Sequence, residues 1–275
     1  MIDKHLNAIN PSMKLLTWNI NSVRLRAPLL LQQLVQQSDA DIICLQETKT
    51  PDELFPHDVF EQAGYKYRHI NGMKAYNGVA ILSRMPFEKP EVYNRVGRND
   101  CRHISVRIKG ATLHNIYIPA GGDIPDRSIN EKFGHKLDFV AELATNFPKY
   151  HKPDEPVIAV GDFNIAPLEH DVWSHKQLLG VVSHTPIEVD ALTKFQSALN
   201  FTDAVRHFVP ENEKCYSWWS YRNHDWRKSN RGRRLDHIWV TKPLTSALNA
   251  HEILADARDW DKASDHVPVI MDINL

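Results

Sequence analysis

Val157-Ile158-Ala159-Val160-Gly161-Asp162-Phe163-Asn164 is an apolar run that stops abruptly at a carboxylate and an amide. An uninterrupted Val/Ile run of this kind describes a strand covered on both faces. Gly161 permits close backbone approach where the run ends. A strand that ends in Asp presents that carboxylate at the rim of a sheet. Three other stretches repeat the arrangement: Trp18-Asn19-Ile20-Asn21, Gln46-Glu47-Thr48, and Asp265-His266 just ahead of Val267-Pro268-Val269-Ile270. Rims that gather Glu47, Asp162, Asp265, His266 and several Asn describe a hydrolytic site for a hard metal ion.

Working outward, strands are expected at 14–20, 41–45, 78–83, 103–108, 112–118, 157–161, 235–240 and 267–273. Helical spacing appears at 25–37 through Leu30, Leu31, Leu34 and Val35, and again through Phe133, Leu137, Val140, Ala141 and Ala144. It recurs less regularly through Val189, Leu192, Phe195 and Leu199. Prolines at 51, 56, 86, 90, 119, 125, 153 and 156 mark loops. The order strand, helix, strand, then consecutive strands, then helix and strand again predicts one α/β domain with mixed sheets and outer helices. Residues 1–12 are expected to form a flexible extension and 13–275 a single catalytic domain. The segments 121–129 and 221–234 are expected to be functional loops.

Composition narrows the class. The 275 residues are 42% hydrophobic and 24% charged, with a net charge of −1. That balance allows a sizeable core and excludes a polycation. No apolar run approaches a membrane span, and the first residues lack a signal-peptide core. The three cysteines, Cys44, Cys101 and Cys215, are far apart and form neither a disulfide framework nor a zinc motif. They fit buried apolar positions in a reducing, cytoplasmic compartment. Locally the charge is uneven. Arg222, Arg227, Lys228, Arg231, Arg233 and Arg234 face a single acid, Asp225, and are interleaved with Trp226 after Trp218-Trp219. Such a run suits a nucleic-acid backbone, or is a solvated loop.

Each site residue has two readings. Glu47 is a Mg²⁺ ligand or the cap of a turn. Asp162 orients or deprotonates a water and Asn164 bonds a phosphoryl oxygen, or both simply form an Asx turn. Asp236 pairs with His266 and fixes its tautomer, or pairs with a nearby Arg. Tyr117 alternates with Ile116 and Ile118, and is either a phosphate donor or a packed strand aromatic.

Together these segments resemble the exonuclease III/apurinic-apyrimidinic endonuclease family of the endonuclease/exonuclease/phosphatase superfamily. The resemblance rests on Leu16-Thr17-Trp18-Asn19-Ile20-Asn21, Leu45-Gln46-Glu47-Thr48-Lys49, Tyr76-Asn77-Gly78-Val79-Ala80 and Asn115-Ile116-Tyr117-Ile118-Pro119. It continues through Gly161-Asp162-Phe163-Asn164, Tyr216-Ser217-Trp218-Trp219-Ser220-Tyr221-Arg222, Arg234-Leu235-Asp236 and Ser264-Asp265-His266. The motifs run in family order over roughly residues 13–275.

The resemblance implies a four-layer α/β sandwich, with two mixed sheets face to face and helices outside. It implies a Mg²⁺-dependent phosphodiesterase, with Mn²⁺ able to substitute, acting on double-stranded DNA at abasic sites or 3′ ends. In this reading Glu47 is the main metal ligand, with Asn19 and Asp265 close by. Asp162 prepares the attacking water and Asn164 positions it. Tyr117 and His266 contact the phosphate, and Asp236 orients His266. Trp218 and Leu235 line a pocket for a base-less sugar. Asn21, Arg24, Arg102 and Arg233 join them as expected DNA contacts.

Two positions depart from the family pattern. Ala120-Gly121-Gly122-Asp123 stands where many members carry Asn or Gln before Gly. Arg233 stands where relatives often have Trp or Leu, and a guanidinium there can grip a phosphate. Rival readings are a lipid or sphingomyelin phosphatase of the same superfamily, a general deoxyribonuclease and a non-catalytic DNA-binding module. A monomer without an obligate protein partner is expected, because no coiled-coil heptads occur and the DNA face must stay open.

Overall fold

A computed structural model describes residues 12–223 and 225–275. The expected extension at 1–12 lies outside the described residues except for Ser12, which is exposed.

The strand 157–161 extends one residue further than its apolar run, as β8 (Val157–Asp162). It lies in a six-stranded sheet ordered β5 (Glu88–Val92), β6 (His103–Ile108), β7 (Ala111–Tyr117), β8, β12 (Asp236–Val240) and β9 (Thr202–Asp203). β7 and β8 run parallel and are joined by α3 (Glu131–Tyr150), while the other pairs are antiparallel. The second six-stranded sheet is ordered β13 (Leu248–Ile253), β14 (Val269–Ile273), β1 (Met13–Asn19), β2 (Ile42–Gln46), β4 (Val79–Ser83) and β3 (Tyr67–Asn71). Here β1 and β2 are the parallel pair, joined by α1 (Val23–Ser38). Both sheets are therefore mixed, as expected.

Side chains alternating along each strand build two different interfaces. Leu15, Ile42, Cys44 and Ile81 from one sheet meet Val106, Leu113, Ile158, Val160 and Ile238 from the other in a core between the sheets. Their neighbours Leu16, Ile43, Leu45 and Leu82 point outward under Leu30, Leu31 and Leu34 of α1. On the opposite side Ile116, Ala159 and Trp239 lie under Phe139, Val140 and Leu143 of α3 and under Phe195 of α5 (Pro186–Ala198). The result is four layers, and it explains why the central strands are apolar throughout.

The strands absent from the sequence reading are the sheet edges β3, β5 and β13, together with two-residue pairings such as β9. Every residue of β5, Glu88-Lys89-Pro90-Glu91-Val92, is exposed. An edge strand needs backbone pairing on one side only, so it carries no apolar signature. Pro90, expected in a loop, is tolerated there because an edge position need not donate to a second neighbour. The register shifts between Glu88 and Glu91. The expected loop at 221–234 also contains more order than its composition suggests. It holds a helical turn, α6 (Trp226–Ser229), and β11 (Gly232–Arg233), which pairs with β10 (Trp218–Trp219).

The expected loop at 121–129 contains no helix or strand and is tied down by Asn130. This residue caps α3 by accepting from the Lys132 and Phe133 backbone N–H groups at 3.1 and 3.4 Å. Its amide donates to the carbonyls of Gly121 at 2.9 Å and Ile124 at 2.6 Å. Asn130→Ala is expected to cost about 1–2 kcal/mol of stability. An unchanged urea midpoint at constant slope would rule that out.

Candidate active site

The functional side chains converge because strand direction and strand end are matched. Asn19 closes β1, Glu47 follows β2, Tyr117 closes β7 and Asp162 closes β8. β12 and β14 run antiparallel to these strands, so Asp236 at the start of β12 and Asp265-His266 ahead of β14 reach the same rim. Register completes the alignment: Asp236 lies opposite Asp162 on one side, and Tyr117 lies opposite it on the other. Gly161 is required here. A Cβ at this position would lie 1.9 Å from the Ile116 carbonyl oxygen, at a φ of 140°.

An open cleft of about 710 Å³ lies above the rim. Asn19, Glu47, Tyr117, Asp162, Asn164, Asp265 and His266 all line it. Asp236 sits behind them, buried, and accepts from His266 Nδ1 at 2.8 Å. Ser217 Oγ donates to the same carboxylate oxygen at 2.6 Å. The rival partner for Asp236, a nearby Arg, is engaged elsewhere: Arg234 turns away to Asp171 and Asp203.

His266 Nε2 faces Asp162 Oδ2 at 3.7 Å. Burial works against the imidazolium. The charges of Asp236 and Asp162, with the Asp236 hydrogen bond, outweigh it and raise the His266 pKa. Burial is also the main force on Asp162, and it pushes that carboxyl well above the usual carboxylate range. Asp162 is held by Asn19 Nδ2 at 2.9 Å, Asn164 Nδ2 at 3.0 Å and the Asn164 backbone N–H at 2.9 Å. Tyr117 donates its hydroxyl to Glu47 Oε1. Burial, reinforced by Glu47 and Asp162, keeps the phenol protonated.

Two of these residues occupy left-handed backbone: Glu47 at φ 52° and Asn164 at φ 54°. Asn tolerates that region, while Glu does so at a cost that the surrounding contacts must hold in place. The Ser22 N–H donates to the Glu47 carbonyl at 2.8 Å, and Lys49 Nζ lies 3.1 Å from Glu47 Oε2.

Asp265 accepts from Trp218 Nε1 at 3.0 Å and Asn21 Nδ2 at 3.2 Å. Burial pushes its carboxyl upward, but the His266 charge and these hydrogen bonds prevail and keep it ionised. Among the described residues, one acidic cluster, Asp162, Asp236 and His266, brings potential ligand atoms within 4.8 Å of one another. It differs from the expected set of Asn19, Glu47 and Asp265. A protonated imidazole has no lone pair for a metal, and its Nδ1 is already committed to Asp236. The oxygen donors on the Glu47 and Asp265 side suit a hard cation better.

The expected DNA contacts separate. Trp218, Leu235 and Arg233 line the cleft. Arg233 stacks over Trp218 with its guanidinium carbon 5.2 Å from the ring centroid, and donates to Val182 O and Ser183 Oγ at 2.9 and 2.7 Å. Asn21, Arg24 and Arg102 do not line it. Asn21 bridges Lys49 and Asp265. Arg24 is exposed on α1. Arg102 lies over the Tyr117 ring at 4.6 Å and bonds Asp100 and Asn77.

The basic run also divides. Arg222 and Arg231 line the cleft, Arg227 pairs with Asp256 and Asp259, and Arg234 is buried. Sequence reasoning missed Ser217, which donates to Asp236, Trp173, which lines the cleft, and Lys136, which donates to the carbonyls of Ala120 and Asn164 beside it. Lys136 had one legible signal: it lies on the same helical face as Phe133 and Val140.

The sequence from residue 16 to residue 266 matches the model of the endonuclease/exonuclease/phosphatase family. The chain belongs to that family. It is 32% identical to exodeoxyribonuclease III of Haemophilus influenzae over 272 residues, covering 94% of this chain and 98% of that protein. Among solved structures it resembles an AP endonuclease from Archaeoglobus fulgidus, with a TM-score of 0.89 and 30% identity, covering 96% of this chain and 100% of that one. It also resembles a 3′ phosphatase from Neisseria bound to a product DNA hairpin, with a TM-score of 0.87 and 27% identity, covering 96% and 100%. Among the described residues, no helix is long and apolar enough to cross a membrane.

Proposed function

We propose that this protein is a DNA-repair phosphodiesterase that cleaves double-stranded DNA beside abasic sites, trims 3′ ends, or does both. The observation that carries this reading is the placement of Asp162. It lies between Asn164 and an imidazolium at the floor of a cleft that Glu47 and Asp265 also line.

In the proposed reaction a water attacks phosphorus and the bond between phosphorus and the 3′ oxygen of the preceding sugar breaks; that oxygen takes a proton from solvent and leaves as a 3′-hydroxyl, and the phosphate stays on the 5′ end of the other product. Asp162 accepts the proton of that water. Asn164 spends both amide hydrogens on Asp162 Oδ2 and the Ile118 carbonyl, which leaves its amide oxygen to accept from that water and orient it. His266, kept charged by Asp236, donates to the phosphate oxygens as negative charge builds on them, and the Tyr117 phenol joins it by exchanging its hydrogen bond to Glu47 for one to the phosphate. Glu47 and Asp265, with Asn19 beside them, would hold Mg²⁺, which supplies Lewis-acid stabilisation of the phosphate when bound. The Mg²⁺ assignment rests on the all-oxygen donor set, and Mn²⁺ fits the same ligands.

Glu47→Gln keeps the shape of the side chain and removes its charge. The cleavage rate is expected to fall by roughly two orders of magnitude. Weakened Mg²⁺ binding by calorimetry should accompany the loss. Wild-type cleavage with wild-type Mg²⁺ affinity would remove Glu47 from the metal site.

Arg233 favours action at 3′ ends. Its guanidinium, stacked on Trp218 and pinned by Val182 and Ser183, occupies the wall where a base-less sugar would be expected to lie. A duplex labelled at 5′ and carrying one tetrahydrofuran abasic analogue distinguishes the two activities. A single Mg²⁺-dependent cut 5′ to the analogue establishes abasic-site cleavage. A ladder from the 3′ end with the analogue intact establishes 3′ trimming. Absence of both overturns the DNA reading in favour of a phosphatase. The same preparation is expected to sediment as a monomer.

A further inference from the structure

Lys136 and Glu188 are both fully buried, with side chains 0% exposed, and their charged atoms meet at 2.5 Å. Neither touches the cleft. Lys136 comes from the second turn of α3 and Glu188 from the first turn of α5. An ammonium has three donors, and each one here has an acceptor. One goes to Glu188 Oε1, one to the carbonyl of Asn164 at 2.8 Å and one to the carbonyl of Ala120 at 3.2 Å. Asn164 and Ala120 lie on two different loops, and both line the cleft. Gly121 lets the second loop rest against the lysine stem, because a Cβ there would come within 2.8 Å of Lys136 Cδ.

Glu188 extends the connection to a third loop. Its carboxylate accepts from the Ser183 N–H at 2.9 Å and from Thr185 Oγ1 at 2.6 Å. Ser183 in turn accepts from Arg233 at 2.7 Å. One buried ion pair thus joins three loops along one wall of the cleft.

We infer that Lys136, neutralised by Glu188, is a positioning residue for Asn164 in the reaction. This rests on the proposed role of Asn164. Asn164 holds a left-handed backbone at φ 54°, and its carbonyl accepts from the Lys136 ammonium. A buried ion pair of this type is weak evidence for stability. Its placement instead fixes the direction of the Asn164 carbonyl, and through that peptide the line along which the side-chain amide meets Asp162 Oδ2 at 3.0 Å and the Ile118 carbonyl at 2.9 Å. Glu188 provides the counter-charge that allows an ammonium to remain there.

The test is a double-mutant cycle on the tetrahydrofuran duplex with Mg²⁺, comparing Lys136→Met, Asn164→Ala and the combination. Lys136→Met should lower kcat at least tenfold and leave KM within twofold. In the Asn164→Ala background it should cost no more than a further twofold, because the group it positions is already absent. Losses that multiply, or an unchanged kcat in Lys136→Met, would overturn the inference. Asn164→Ala at the wild-type rate would instead overturn the active-site reading itself.

Lys136→Met strands a buried carboxylate and is prone to misfold. The pair Lys136→Met/Glu188→Gln removes both charges at nearly constant volume and enters the same cycle. Glu188→Gln alone, which keeps the ammonium, provides a third entry whose loss must also vanish in the Asn164→Ala background. Additive losses in the variants that fold, confirmed by circular dichroism and thermal unfolding, refute the positioning role.

Discussion

Asp162→Asn is expected to lower kcat by roughly a thousandfold, near the middle of what a positioned general base contributes. The substitution is nearly isosteric, so the loss should be chemical. In the native site one carboxylate oxygen accepts from the Asn164 N–H and the other accepts from two amide groups, Asn19 Nδ2 and Asn164 Nδ2. An Asn side chain can accept on one side only and would turn a donor toward a donor on the other. It also cannot take the proton of the attacking water. Circular dichroism should stay close to wild type, and the facing donors should cost about 1–3 kcal/mol of stability. Retention of more than a tenth of the wild-type kcat would remove Asp162 from the role of base.

The largest expected effect on stability lies at Asp171. This buried carboxylate accepts from Arg234 Nε at 2.7 Å and Nη2 at 2.9 Å, and from Arg206 Nη2 at 2.5 Å. Arg234 also reaches Asp203 at 2.7 Å. Asp171→Ala leaves Arg234, which is 1% exposed, short of its main partner. Breaking such a pair from one side costs about 3–5 kcal/mol. The effect should extend to the site, because Arg234 is two residues from Asp236, the partner of His266. A shift in the denaturation midpoint worth under 1 kcal/mol would contradict the assignment.

The same cluster predicts a direction with pH. Burial pushes the Asp171 and Asp203 carboxyls up, but Arg234 and its neighbours outweigh it and hold both below the usual carboxylate range. Their folded pKa values therefore lie below the unfolded ones. The stability they contribute is present above the ordinary carboxylate pKa of about 4, and is lost as pH falls through the folded values. Acid unfolding followed by circular dichroism should show a weaker acid dependence below pH ~4 in Asp171→Ala than in the native protein.

The central strands were legible because a strand covered on both sides has nowhere to place a charge. The runs at 157–161 and 41–45 announce themselves for that reason, and their terminal Asp162 and Glu47 announce the rim. The edge strands β3, β5 and β13 were not legible. They are held by backbone pairing, which leaves little trace in side-chain chemistry. The candidate site divided in the same way. Glu47, Asp162, Asn164, Asp265 and His266 stand out because each is a polar group set against a buried strand. Asn21 and Arg102 carry the same chemistry, yet the fold uses Asn21 to brace Lys49 and Asp265, and Arg102 to support Tyr117.

By itself the amino-acid sequence determined the α/β class, the central strands and the set of acids at one rim. Burial on both strand faces and strand-end polarity are local properties, written in consecutive residues. Tertiary structure alone decided which charges meet. Asp236, for which the sequence offered His266 or an Arg, is settled on His266 30 residues away, while Arg234 chose Asp171 63 residues away and Lys136 reached the carbonyl of Asn164 28 residues away, neither contact legible beforehand. No periodicity encodes such choices. They follow from which side chains the closing sheets and helices bring within hydrogen-bond reach, and from the cost of leaving a buried charge without a partner.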